Sequence, residues 1–420
     1  MGEQGRPSST VPVSRVVTVV LPGAIVVGAG PSGLAVAASL RRMAVPCVVV
    51  ERSDGIAELW RRRTYDRLSL HLPKRFCELP HLPFPRDFPT YPSRRHFLSY
   101  LIRYSRAFAI EPLLRCTVVS ATFDPAARLW RVVALHRSPP SELAEVADVG
   151  GPVAVEYMAR WLVVATGENA EPVVPKLKGV AGFRGRLLHS SEYKSGVVFE
   201  GQRVLVIGCG NSGMEVCLDL HEHGAWPSMA VRSGVHVLPR KMLGTSTFGL
   251  AMKLLKWLPV RLVDRFLLAM ARLVLGNTEV YGLRRPEVGP LELKASTGKT
   301  PVLDVGALRL IKNGSIKVVP EVESLTGTGA KFVDGKEMAF DSVIFATGYR
   351  SNDCDLFSED GKPRVPFPEG WKGKKGLYFV GFTGRGLLGA GADAVNVARD
   401  IAREWNKLSD CKNLYARQAP

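Results

Sequence analysis

The sequence predicts an α/β protein built from two Rossmann-like dinucleotide-binding domains, one inserted within the other. Three observations predict it. The apolar run Ala24–Val27 leads into Gly28-Ala29-Gly30-Pro31-Ser32-Gly33. A second run, Arg203–Ile207, leads into Gly208-Cys209-Gly210-Asn211-Ser212-Gly213. Strands expected at 160–165 and 343–346 then close on matching ends, Ala165-Thr166-Gly167 and Ala346-Thr347-Gly348. In each G-x-G-x-x-G, one glycine turns the chain, one admits a pyrophosphate to the backbone, and one lets the helix pack on the strand. The helix N-terminus then offers free N–H groups to the phosphates. A lone copy also fits an ordinary strand–turn–helix junction. Two copies, each with a matching partner strand, specify two nucleotide sites.

Composition sets the frame. The 420 residues suffice for two domains with full cores, and 46% apolar with 23% charged residues fits a soluble globular chain. The expected division is a loose tail over 1–20, a first domain over 21–200 and 345–420, and the inserted domain over 201–344. The net charge of +17 fits a basic surface, anionic small molecules or an acidic membrane face. No nucleic-acid-binding module accompanies it, so no nucleic-acid partner is expected. None of the seven cysteines forms C-x-x-C. Neither a metal site nor a redox disulfide is therefore indicated, and a reducing, cytoplasmic compartment is expected. The apolar run at 16–21 lacks the flanks of a signal peptide. No segment is long enough to span a bilayer, which leaves peripheral membrane contact, with the endoplasmic reticulum included, open.

The first unit continues with a helix over 34–42 and the strand Cys47–Val50, ending at Glu51, 18 residues after Gly33. A carboxylate there accepts from ribose hydroxyls and repels a 2′-phosphate, so the site calls for FAD or NAD. Arg52 follows it. Residues 60–71, from Trp60 to His71, interleave arginines with aromatics; a solvated basic loop and a wrap around flavin phosphates and ring both fit. Residues 72–92 are proline-rich and loop-like. Ser93 is an N-cap for a helix over 93–108. Strands are expected over 117–123 and 129–135, with a polar insertion over 136–152.

In the second unit, the strand over 228–231 ends in Arg232-Ser233, Arg232 lying 19 residues after Gly213. A guanidinium and a hydroxyl there suit a 2′-phosphate, so this site calls for NADP(H); a plain surface arginine is the alternative. Residues 247–275 read as helices broken by Pro259, covering the active-site cleft or, alternatively, lying on a membrane. Residues 283–304 read as loop. Residues 307–325 read as strands about an Asn313-Gly314 hairpin turn. The last strand is expected over 376–381 and a closing helix over 392–405, its N-terminus directed at the flavin pyrimidine end.

FAD and NADPH together imply hydride transfer from nicotinamide to flavin. With no cysteine pair and no cluster motif to take the electrons onward, oxygen is the simplest acceptor. The linker then becomes specific. Phe183-x-Gly185-x-x-x-His189-x-x-x-Tyr193 resembles the fingerprint of class B flavin-dependent monooxygenases, with Tyr193 where Baeyer–Villiger enzymes carry Trp. Glu51-Arg52-Ser53-Asp54, Thr64-Tyr65-Asp66-Arg67-Leu68, Ala165-Thr166-Gly167-Glu168-Asn169-Ala170, Gly298-Lys299-Thr300-Pro301-Val302-Leu303-Asp304 and Ala346-Thr347-Gly348-Tyr349-Arg350 resemble the YUCCA family of plant flavin monooxygenases.

The resemblance spans roughly 23–405. It implies conversion of indole-3-pyruvate to indole-3-acetate with FAD, NADPH and O2. His71 stands where many of the broader group carry an Asn near the flavin; it fits a donor, a histidine buried in the core or one that supports the site from behind. The candidate catalytic groups are His71, Asn169 and His189, the last a hydrogen-bonding switch across the junction or a packing residue of the linker. The candidate cofactor-binding set is both glycine turns with Glu51, Arg52, Trp60, His71, Arg232, Ser233, Thr347 and Gly348; no metal site is expected. Two other functions compete: a monooxygenase of soft nitrogen or sulfur nucleophiles, and a non-catalytic flavoprotein that senses NADP(H).

Overall fold

The computed structural model describes residues 16–137, 152–351 and 370–418, with side chains as far as Leu408. Two parallel sheets organise it. In the first the order is Leu377–Phe379, Trp161–Val164, Ala24–Val27, Cys47–Val50. In the second it is Arg186–His189, Ser342–Phe345, Arg203–Ile207, Trp226–Ala230, Lys317–Val319. The two share a plan. The strand before the glycine turn lies between the strand that follows its helix and the strand that ends in Ala-Thr-Gly. Such strands, covered on both faces, must be apolar throughout, as Ala24–Val27 and Trp161–Val164 are.

Leu377–Phe379 returns to the first sheet after the whole second sheet is complete. A third sheet sets Val16–Val20 parallel to Val153–Ala159 and continues antiparallel through Leu129–His136 and Cys116–Asp124. The insertion between Leu129–His136 and Val153–Ala159 lies largely outside the described residues, but its flanking strands are antiparallel neighbours, as a meander requires.

The helix Pro31–Arg42 starts at the proline, ahead of the expected 34, because a fixed φ suits the first turn and no N–H is needed there. Its buried Ala35, Ala37 and Ala38 let it pack closely against the closing helix Gly386–Gln418. Ser93 caps Arg94–Ala107 reciprocally with His96, as its position predicts. Pro259 separates Thr247–Leu254 from Val260–Leu275.

Five expectations are corrected. Val16–Val20 is no tail but a strand, its alternating β-branched residues paired along Val153–Ala159. Arg186–His189, expected in the first domain, is the edge strand of the second sheet. Within 283–304 lie the helix Pro290–Thr297, begun by a proline and ended by Gly298, and the strand Val302–Asp304. Ala307–Lys312 is a helix: Ala307, Leu308, Leu310 and Ile311 have helical spacing, and Asn313-Gly314 supplies its C-terminal turn with Gly314 at φ +80°. An Asn-Gly pair serves a helix end as well as a hairpin, and here the apolar period decides. The closing helix begins at Gly386, ahead of the expected 392.

Candidate active site

Both glycine turns show three distinct jobs. Gly28 has φ +108°, and a Cβ on it would lie 2.6 Å from the Ala165 carbonyl oxygen. A Cβ on Gly33 would lie 1.8 Å from the Gly28 oxygen, whereas Gly30 meets no protein atom within 4 Å. The second turn repeats this. Gly208 has φ +121° with Ala346 oxygen 2.4 Å from the added Cβ, Gly213 meets Gly208 oxygen at 2.0 Å, and Gly210 is open. The closed glycines fasten turn to helix and to the Ala-Thr-Gly strand. The open ones leave room for a pyrophosphate against the backbone. Both cradles therefore fit a dinucleotide.

Around the first turn, Glu51 Oε2 accepts from Ala29 N at 2.8 Å and Oε1 from Ser53 N at 2.9 Å. At 9% exposure it shapes the turn, and its remaining lone pairs suit ribose hydroxyls. Ser32 approaches Gly381, where a Cβ would lie 2.4 Å from its Oγ. Asp393, fully buried in the closing helix, accepts from Gly381 N at 3.3 Å and Thr383 Oγ1 at 3.2 Å; burial raises its pKa. Arg52 pairs instead with Glu171 at 3.1 Å on the surface.

The arginines of 60–71 are engaged within the protein. Arg61 and Arg62 pair with Asp54 and Glu58, and Arg63 donates to the Ala170 carbonyl. Arg67 pairs with Glu222 at 2.7 Å. The acids that engage them lie outside the stretch, so its own composition made it look unpaired. Trp60 packs edge-on against Phe97 at 4.5 Å.

Around the second turn, Asn211 Oδ1 accepts from Leu303 N at 3.0 Å, and burial raises the Cys209 thiol pKa. Arg232 and Ser233 follow Trp226–Ala230, whose last carbonyl accepts from Gly208 N at 3.1 Å, so they stand beside the turn. The Arg232 side chain is 75% exposed, with Glu321 3.9 Å away.

The two units meet at their Ala-Thr-Gly ends. Tyr349–Arg350 pairs antiparallel with Glu171–Pro172, and Thr347 Oγ1 donates to the Val173 carbonyl. His189 is buried here. Its Nε2 lies 3.1 Å from Gly348 O, its Nδ1 3.0 Å from Ser191 Oγ, and its ring stands edge-on to Tyr349. Burial depresses its pKa, which favours neutral imidazole. Asn169 is exposed on the loop beyond Gly167. The neighbouring Glu168 accepts from Gly384 N at 2.9 Å, and burial raises its carboxyl.

His71 Nε2 lies 3.2 Å from Glu215 Oε1, with no described contact to Asn169 or His189. His71 and His189 are thus held by different partners, Glu215 for the first and Ser191 with Gly348 for the second. Sequence reasoning missed Glu215 and Asp219, acids four residues apart on the helix after the second turn. They receive Tyr65 OH at 2.7 Å and Tyr193 OH at 2.5 Å respectively. The available signal was two carboxylates on the buried face of a helix that otherwise reads as core. Among the described residues, no group of His, Cys, Asp and Glu could hold a metal ion, and no helix is long and apolar enough to cross a membrane.

Residues 23–360 match the family described as Flavin-binding monooxygenase-like. The chain is 63% identical over 399 residues to the indole-3-pyruvate monooxygenase YUCCA8 of Oryza sativa subsp. indica, covering 93% of each. It is 54% identical to the probable indole-3-pyruvate monooxygenase YUCCA4 of Arabidopsis thaliana, covering 94% of each. In fold it resembles the flavin-containing monooxygenase of Stenotrophomonas maltophilia, with TM-score 0.66 at 21% identity, over 93% of this chain and 99% of that one. The paired glycine cradles, the Phe183–Tyr193 linker motif and these likenesses agree: the chain belongs to the YUCCA family of flavin-binding monooxygenases.

Proposed function

We propose that the protein converts indole-3-pyruvate, O2, NADPH and a proton into indole-3-acetate, CO2, NADP+ and water. The observation that carries this is the pair of open cradles with opposite charge at the ribose position, Glu51 in one and Arg232 in the other. The substrate rests on the printed activity of the 63% identical relative.

In this reading the first cradle holds FAD through Gly28–Gly33 and Glu51. The second holds NADPH through Gly208–Gly213, Arg232 and Ser233. Bound flavin supplies hydride acceptance and oxygen chemistry. The chain's own residues orient, donate hydrogen bonds and exclude water. His71 faces Glu215 of the helix after the second turn, Asn169 lies on the exposed loop after the first Ala-Thr-Gly, and His189 closes the junction against Gly348. The test is product mass and NADPH consumption on a panel of indole-3-pyruvate, phenylpyruvate and methimazole. Indole-3-acetate formed only with NADPH and O2 supports the reading. Turnover of methimazole alone supports a monooxygenase of soft nucleophiles instead, and no oxygenated product from any of the three supports a sensor.

The protein is further read as cytoplasmic, with peripheral membrane contact at the turn between Thr247–Leu254 and Val260–Leu275. Trp257 there is 86% exposed, Leu258, Val260 and Leu262 are exposed beside it, and Lys256 and Arg261 flank them. Flotation with anionic vesicles, lost in Trp257→Ser, checks it.

A further inference from the structure

The helix Asn211–Glu222 grows directly out of the second glycine turn, and every residue from Gly213 to Leu220 is buried. Two of these are carboxylates, Glu215 at 6% and Asp219 at 4% exposure. Buried charge persists where partners compensate it. The partners here lie off the helix, in the 64–71 loop and the linker. Glu215 receives Tyr65 OH at 2.7 Å and faces His71 Nε2 at 3.2 Å. Asp219 receives Tyr193 OH at 2.5 Å and Gly196 N at 2.8 Å, with Arg67 at 3.7 Å.

The helix side chains thus bind it to the loop carrying His71 and to the linker carrying the monooxygenase fingerprint. The coenzyme turn neighbours this set: Ser212 stands beside the Tyr65 phenol, which burial and Glu215 keep protonated. A series of neighbours, Ser212, Tyr65, Glu215 and His71, therefore runs from the phosphate-facing turn to His71, its last two links being hydrogen bonds.

We propose that Glu215 is a positioning residue that fixes the tautomer of His71 and relays occupancy of the coenzyme turn to it. A carboxylate only accepts, so the His71 nitrogen facing it, Nε2, carries the proton, and Nδ1 is left for the rest of the site. Ordering Ser212 under a bound coenzyme restrains Tyr65, and Tyr65 shares the carboxylate with His71. The relay rests on reading the second turn as the coenzyme seat; the tautomer assignment rests on geometry alone.

The test uses purified holoenzyme labelled with 15N-histidine, read by long-range proton–nitrogen correlation, with His71→Asn identifying the His71 signals. In the native chain Nε2 carries the proton. Glu215→Gln keeps an acceptor for Tyr65 on its amide oxygen but turns an N–H toward Nε2, so the proton moves to Nδ1. In the same variant, product formation falls about tenfold, the loss expected when the nitrogen left for the site turns from acceptor to donor. NADP+ affinity, measured by calorimetry, stays within roughly twofold, because the described partners of Glu215 are Tyr65 and His71 and the variant keeps an acceptor for Tyr65.

Addition of NADP+ moves the His71 ring signals in the native chain and leaves them unmoved in Tyr65→Phe. A proton on Nδ1 in the native chain, or an unchanged tautomer in Glu215→Gln, overturns the positioning role. Equal shifts with and without the Tyr65 hydroxyl overturn the relay. If the substrate reading alone is wrong, neither chain forms indole-3-acetate, and the tautomer still decides what Glu215 does.

Discussion

The two glycine turns have nearly the same backbone and opposite chemistry. In each, the first glycine is left-handed, the third presses on the first, and the middle one is open. They part at the end of the next strand. In the first unit Glu51 is buried and clamps its own turn through two backbone N–H groups. In the second unit Arg232 is exposed and holds only a distant contact to Glu321. In the proposed reading, backbone geometry builds a phosphate cradle and one side chain selects the ribose. The buried acid is also structural, whereas the exposed arginine is free to serve a ligand.

The largest expected effect separates the glycines within a turn. Gly33→Ala and Gly213→Ala force a Cβ to about 2 Å from a backbone oxygen, and such overpacking costs roughly 3 kcal/mol or more. Both should lower the denaturation midpoint sharply. Gly30→Ala and Gly210→Ala meet no protein atom, so they should fold normally and lose dinucleotide affinity. Equilibrium denaturation set beside flavin content and NADP+ calorimetry checks this. Normal affinity in Gly210→Ala would mean that the open space is not the phosphate seat.

Arg232→Ala sharpens the difference in ribose chemistry. A charge-assisted hydrogen bond to a 2′-phosphate contributes about 1.5–3 kcal/mol, so NADPH should weaken roughly tenfold or more while NADH barely changes. Equal losses for both coenzymes, in steady-state KM and in calorimetry, would make Arg232 structural.

Both cradles were legible in the sequence because their glycines answer to steric rules within a few residues. Glu51 and Arg232 were legible by spacing from those glycines. The pairing of Arg61, Arg62 and Arg67 was not, because their acids include Asp54 before the stretch and Glu222 far beyond it. Glu215 and Asp219 are illegible for the same reason: their partners Tyr65, His71 and Tyr193 are far away in the chain. The helix Ala307–Lys312 departs from the expected hairpin because Asn-Gly has two uses, and here the local apolar spacing outweighs the turn. Val16–Val20 was taken for tail because an edge strand's meaning depends on a partner at 153–159.

A smaller effect tests a position where the sheets diverge. In the second sheet His189 aligns beside Phe345; in the first, Phe379 aligns beside Val164. The second unit thus places an imidazole against Gly348 where the first has a plain aromatic ring. His189→Ala should retain FAD and oxidise NADPH, but release about twofold more hydrogen peroxide per product, because the junction that excludes water is loosened. An unchanged peroxide-to-product ratio with unchanged turnover would leave His189 no part in coupling. Loss of FAD would make its role structural.

The smallest expected effect is on stability against pH, and it follows from the same imidazole. Burial holds His189 below the ordinary histidine value of 6.5, and it does the same to His136 and His236. His136 Nε2 lies 2.8 Å from Tyr157 OH, and His236 Nε2 faces Val288 O at 2.7 Å, so each ring is built into the fold. The unfolded chain takes up these protons first as pH falls. Stability is therefore fully present above 6.5 and declines as pH drops through 6.5 toward the lower folded values. Glu168 and Asp393 act in the opposite sense, since burial raises their folded pKa values above 4.5 and 3.8, which makes the neutral side the cleaner window. Urea midpoints measured from about pH 8 to about pH 6 should fall on acidification. His189→Gln, which keeps hydrogen-bonding groups near Ser191 and Gly348 but cannot titrate, should make that fall shallower. An identical pH slope in the variant would mean that His189 does not sense the proton in the folded chain.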